Sequence, residues 1–138
     1  KRCISKIKSN TGYPSAWITE KYKTEIYLDD DFDISQYKNL DSLNDNEIPI
    51  IGNPSEKKGF LITSNRIIRI RDEVIDMFFF SEILCISDNI VESEWKTQDG
   101  MIDLEILLTN DEKINLDIEG GKPSLAVIVV INCILDLL

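Results

Sequence analysis

The clearest pattern in the chain is strict alternation in its last third. Ile102, Leu104, Ile106 and Leu108 alternate with Asp103, Glu105 and Leu107, and Ile114, Leu116 and Ile118 alternate with Asn115, Asp117 and Glu119. A period of two marks a half-buried strand, so Met101 to Leu108 and Ile114 to Glu119 read as a hairpin turning through Thr109 to Glu112. Upstream, Gly59 to Ile70 reads as two short strands around a polar turn at Ser64 and Asn65, Asn being tolerant of positive φ. Ile48 to Ile51 precedes them as a strand whose Pro49 suits a sheet edge or a strand start, and Gly52 to Lys58 is a loop. Val74 to Phe80 and Ile83 to Ile86 are apolar runs separated by Ser81 and Glu82, as expected where a strand rounds a sheet corner. Ile90 to Trp95 is a further strand candidate, followed by turn residues from Thr97 to Gly100.

After Gly120 and Gly121 the alternation stops. Pro123 suits a first helical turn, and Leu125 to Leu138 is too long and too continuously apolar for a strand, despite five Val and Ile residues between Val127 and Ile131. A helix this apolar covers a sheet with one face and needs cover on the other, either from N-terminal helices or from a second copy in a homodimer. In the first third the spacing predicts helix: Ser15 as cap for Ile18, Tyr22 and Ile26, then Asp33 as cap for a short piece carrying Ile34, Tyr37, Leu40 and Leu43. The chain thus reads as α+β, with residues 1–46 a helical extension and residues 47–138 a curved antiparallel sheet or partial barrel closed by a C-terminal helix.

Composition changes this picture through charge. The 138 residues hold 25 acids against 15 bases, a formal net charge of −10. Such a field disfavours nucleic acid, which is bound through neutralised phosphates, and favours a basic partner. The charges fall in blocks. Glu25 to Glu56 holds nine acids against Lys38, Lys57 to Arg71 is basic without an acid, and Asp72 onward holds fifteen acids against three lysines. Cys3, Cys85 and Cys133 lack CxxC pairing, so neither a disulfide framework nor a zinc knuckle is indicated, and a reducing cytoplasm is the simplest location. Lys1 rather than Met opens the chain, and no retained signal segment is legible.

Three motifs carry a resemblance. Gly59-Phe60-Leu61-Ile62-Thr63-Ser64-Asn65-Arg66-Ile67-Ile68 is similar to the "glycine, hydrophobic, Leu-Thr-x-x-Arg-hydrophobic" hairpin of pleckstrin-homology-like domains of the GRAM or bacterial type. Phe80-Ser81-Glu82-Ile83 resembles their corner, and Asp111-Glu112-Lys113-Ile114 their last hairpin, with Leu125 to Leu138 as the closing helix. The resemblance spans Glu47 to Leu138 and implies a binding module for lipid head groups, peptides or proteins.

The chain has no histidine, which removes the usual general base, the Ser-His and Cys-His pairs and the commonest transition-metal ligand. No enzyme, cofactor or metal is therefore expected. Asp29, Asp30, Asp31 and Asp33 lack the Gly and distal Glu of a calcium loop and read as a solvated acidic turn. Two binding roles follow. An acidic protein could mask a basic one, most concretely an immunity protein covering a nuclease-type bacterial toxin, through Asp29, Asp30, Asp31, Asp33, Glu92, Glu94, Trp95 and Asp99. The alternative is an anionic head group or membrane-associated protein held by Lys57, Lys58, Arg66 and Arg69, against which stands the reading that Arg66 and Arg69 pair with acids across the sheet. Trp17 and Phe78 to Phe80 are interface anchors or core.

Overall fold

A computed structural model describes residues 22–27, 32–87 and 101–138. Among these, β1 (Glu25–Ile26), β2 (Pro49–Asn53), β3 (Lys58–Thr63), β4 (Arg66–Arg71) and β5 (Val74–Phe79) form one antiparallel sheet in that order. A second antiparallel sheet holds β6 (Ile83–Ile86), β7 (Met101–Leu108) and β8 (Lys113–Glu119), and α1 (Lys122–Leu137) follows. Among the described residues the fold is α+β with two sheets and a C-terminal helix, and no barrel closes. Among the described residues no helix is long and apolar enough to cross a membrane.

The two sheets and α1 enclose the main core, in which Phe60, Ile62, Ile67, Leu104, Ile106, Leu116 and Val130 are fully buried. The alternating residues of β7 and β8 point inward as their period requires, with Leu104 opposite Leu116 and Ile106 opposite Ile114. The corner is where the apolar runs suggested: a 3-10 turn at Phe80–Glu82 takes the chain from β5 in one sheet to β6 in the other. In α1 the buried positions Ala126, Val127, Val130, Ile131, Cys133 and Ile134 form one stripe, beside which Leu125, Ile128, Val129 and Leu135 are half-buried.

β3 and β4 are apolar without alternation because the first sheet is covered on both faces. Leu61, Ile68 and Ile70 face away from α1, into a second cluster with Tyr27, Tyr37 and Leu40, against which Phe32, Ile34 and Leu43 pack. The spacing of three from Ile34 to Leu43 therefore did report burial, but only one 3-10 turn forms, Ile34–Gln36, capped by Asp33. Asn39, at φ 69°, turns the chain soon after it. The helix expected to run through Ile26 is also corrected. Glu25–Ile26 is extended and pairs with Gly52 and Ile51, because Ile26 enters the main core only from the sheet edge while Glu25 stays exposed. Ser15 and Ile18 lie outside the described residues, as does the strand candidate Ile90 to Trp95.

The two-residue turn at Ser64 and Asn65 forms, but without positive φ at Asn65. The Thr63 hydroxyl closes it by accepting the N–H groups of Asn65 and Arg66. Left-handed backbone occurs instead in the β4–β5 turn, at Asp72 (φ 48°) and Glu73 (φ 68°), the handedness that two-residue hairpin loops favour.

Gly52 marks where the outer cluster meets the sheet. A Cβ there would lie 2.1 Å from the Tyr37 hydroxyl and 2.9 Å from the Phe60 carbonyl oxygen. Gly52→Ala is expected to destabilise the chain by about 1–3 kcal/mol, the usual cost of overpacking. Denaturant unfolding checks this, and an unchanged midpoint would show that Tyr37 moves aside freely.

Candidate functional site

The basic residues of the first hairpin do not form one group. Arg66 is buried at the start of β4, against Glu47, which precedes β2. Its Nε donates to Glu47 Oε2 at 2.8 Å and its Nη2 to Oε1 at 3.0 Å, while the Thr63 hydroxyl and the Asn44 N–H complete the carboxylate. Burial pushes the Glu47 carboxyl up, but the hydrogen bonds from Arg66, Thr63 and Asn44 outweigh it and leave it below its ordinary value. The pair is a closed internal unit with its charges balanced, and offers nothing to an outside anion.

Arg69 and Arg71 lie three and five residues further along β4 and reach towards the second sheet. Arg69 lies over the Phe78 ring, 5.2 Å from its centre, and donates to Asp76, its partner across β4 and β5, at 2.9 Å. Arg69 Nη1 and Arg71 Nη2 both donate to the main-chain carbonyl of Asn115 in β8, at 2.9 and 3.0 Å, and Arg71 also faces Asp117 at 3.7 Å. The two guanidiniums thus tie β4 to β8 and bridge the sheets.

Lys57 and Lys58 remain exposed, Lys58 directly opposite Arg71 across β3 and β4. With Lys23, Asn53, Ser55, Met101 and Glu119 they line a shallow cavity of about 310 Å³ at the β2–β3 loop. Glu119 is engaged there by the Thr24 N–H and hydroxyl. Lys23, which charge runs alone did not group with the hairpin, joins it through the short β1 strand.

Of the acidic candidates, Asp33 is described. It accepts the Ser35 N–H at 3.0 Å and the Ser35 hydroxyl at 2.7 Å, bonds that hold its carboxyl below the ordinary value. Asp29, Asp30, Asp31, Glu92, Glu94, Trp95 and Asp99 lie outside the described residues, as does Trp17. Among the described residues no group of three or more Cys, Asp or Glu is placed to hold a metal ion. The aromatic run divides: Phe80 is buried, Phe78 packs against the core, and Phe79 is exposed.

No protein-family model matches the chain, and no curated protein or solved structure is significantly similar to it.

Two features escaped the sequence. One is the hydroxyl-to-hydroxyl bond between the buried Tyr27 and Tyr37. The other is the exposed apolar edge along β5, whose residues have the composition of a core strand.

Proposed function

We propose that the chain is a non-enzymatic acidic binding protein, of the kind in which an immunity protein masks the cationic cleft of a nuclease-type bacterial toxin. The observation that carries this reading is the internal use of Arg66, Arg69 and Arg71, each bonded to an acid or carbonyl of its own chain, in a protein of net charge −10. What remains outside is predominantly negative, which steers a basic partner and repels phosphate. The order of two antiparallel sheets and a closing helix supports the pleckstrin-homology-like reading of Glu47 to Leu138 as the scaffold, and the free thiol of Cys85 suits a reducing cytoplasm.

A second reading rests on the cavity lined by Lys23, Lys57 and Lys58, which has the chemistry to hold an anionic head group. One experiment separates the two. Tagged protein is expected to recover a basic protein from its host, with an association rate that falls by about tenfold or more as salt is raised. Vesicles carrying anionic lipid are expected not to bind. Recovery of no protein, together with vesicle binding that disappears in Lys57→Glu/Lys58→Glu, would overturn the first reading in favour of the second.

A further inference from the structure

The large apolar side chains left exposed among the described residues are unevenly placed. Of these eight, Val74 (62% exposed), Met77 (43%), Phe79 (43%) and Leu84 (61%) follow one another along β5 and β6. Among the described residues both strands are outermost in their sheets, and the turn Phe80–Glu82 joins them, so the four positions follow one edge, Val74 on one face of β5 and Met77 and Phe79 on the other.

Edge strands are ordinarily guarded against pairing by Lys, Pro, bulges or extreme shortness. Of these β5 carries none, and its one charged side chain, which also guards an edge, is Asp76, bonded to Arg69. The strand contains no Lys, Arg or Pro, and it pairs with β4 residue for residue from Val74 to Phe79 without a bulge. A regular strand of six residues with one neighbour among the described residues presents alternate N–H and C=O groups to whatever lies beside it.

Charge along the edge selects among occupants. Asp72 and Glu73 form the turn before β5, Asp76 sits within it with its side chain 46% exposed, and Glu82 follows it. The cations nearest to it are all engaged within the chain: Arg66 by Glu47, Arg69 by Asp76 and Asn115, Arg71 by Asn115 and Asp117, and Lys38 by Glu73, so Asp72 and Glu82 are the acids along the edge without an ion pair among the described residues. Apolar positions between acidic ones fit a segment in which apolar side chains alternate with Lys or Arg.

We propose that the β5 edge binds an extended, basic segment of a protein partner, which pairs with it main chain to main chain as a sixth strand of the first sheet. This rests on the reading of the chain as an acidic protein-binding module, and names the surface that does the binding.

The test uses the full chain and a peptide of about eight alternating Lys and Val residues, with the matching Glu and Val peptide as control. The Lys peptide is expected to slow amide exchange at Val74 to Phe79, and the control to leave it unchanged. Val74→Lys/Phe79→Lys is expected to weaken Lys-peptide binding by about tenfold or more. Both positions are exposed, but if that variant does not fold, the exchange pattern of the unaltered chain decides alone. Protection elsewhere in the chain, equal binding of the control, or unchanged binding by the folded variant would overturn the proposal. So would a dimer in sedimentation that the variant dissolves, since the edge would then belong to a second copy. Salt-sensitive binding of the Lys peptide away from β5 removes this surface and leaves the acidic-binder reading standing. If neither the peptide nor any basic protein binds, that reading falls as well.

Discussion

Arg66→Met is expected to lower the free energy of unfolding by about 3–5 kcal/mol, the range for breaking a buried ion pair by removing one partner. The loss comes from the partner left behind. Glu47 would keep only the Thr63 hydroxyl and the Asn44 N–H around a carboxylate buried at the sheet end. The double variant Glu47→Leu/Arg66→Met removes both charges and is expected to recover most of the loss, because an apolar pair of similar volume often matches a buried ion pair. Denaturant unfolding of the two singles and the double forms a cycle that isolates the coupling. A single variant as stable as the original, or a double no better than the single, would refute the account.

The same pair sets a pH dependence whose sign follows from Glu47. Its folded pKa lies below the ordinary 4.5, so its contribution is complete above about pH 4.5 and fades as pH falls through the folded value. In Arg66→Met the buried carboxyl takes up a proton more readily, so the deficit caused by the substitution is expected to shrink in acid.

Alkali acts on the other face of the sheet. Burial, against the lowering effect of the Tyr37 bond, pushes the Tyr27 hydroxyl from 10.0 up to about 12, with the Glu25 charge adding to the rise. Burial drives Tyr37 higher still, followed by the effects of Tyr27 and Glu25. Both folded values lie above the unfolded one, so the stabilisation is complete below about pH 10 and is lost as pH rises from there. Each tyrosine is expected to remove about 1.4 kcal/mol per pH unit between pH 10 and 12, which for the pair is about 2.7 kcal/mol per unit. Unfolding midpoints against pH, with tyrosinate absorbance recorded in parallel, measure this. Tyr27→Phe/Tyr37→Phe should flatten the alkaline limb, and an unchanged limb would show that other groups govern it.

How far the sequence could be read depended on whether one face of an element meets water. β7 and β8 do have such a face, and their alternation marked their extent almost to the residue. β3 and β4 are enclosed between two clusters, so their apolar runs identified strands without showing which residue faces which side. β5 has the same texture, although it lies at an edge with Val74, Met77 and Phe79 exposed, and no local pattern distinguishes these cases. The first third misled through coincidence. Tyr22 and Ile26 do both pack on the main core at a spacing of four, but Ile26 does so from a strand.

The arginine run shows a different limit. Lys57 to Arg71 reads as one positive stretch, yet the acceptors that separate its members lie far away in sequence: Glu47 for Arg66, and the Asn115 carbonyl for Arg69 and Arg71. Charge runs report density and leave the partner unspecified. Lys57 and Lys58 stay exposed although both line a cavity with Glu119 of the second sheet, whose carboxylate is taken by Thr24.

The clasp between β4 and β8 holds a main-chain oxygen rather than a side chain. Asn115 itself projects into solvent, so its identity can drift without loosening the joint, whereas the guanidiniums at 69 and 71 have no such freedom. Two sheets linked in this way can change their outer surface, and with it the partner they accept, while the angle between them is kept.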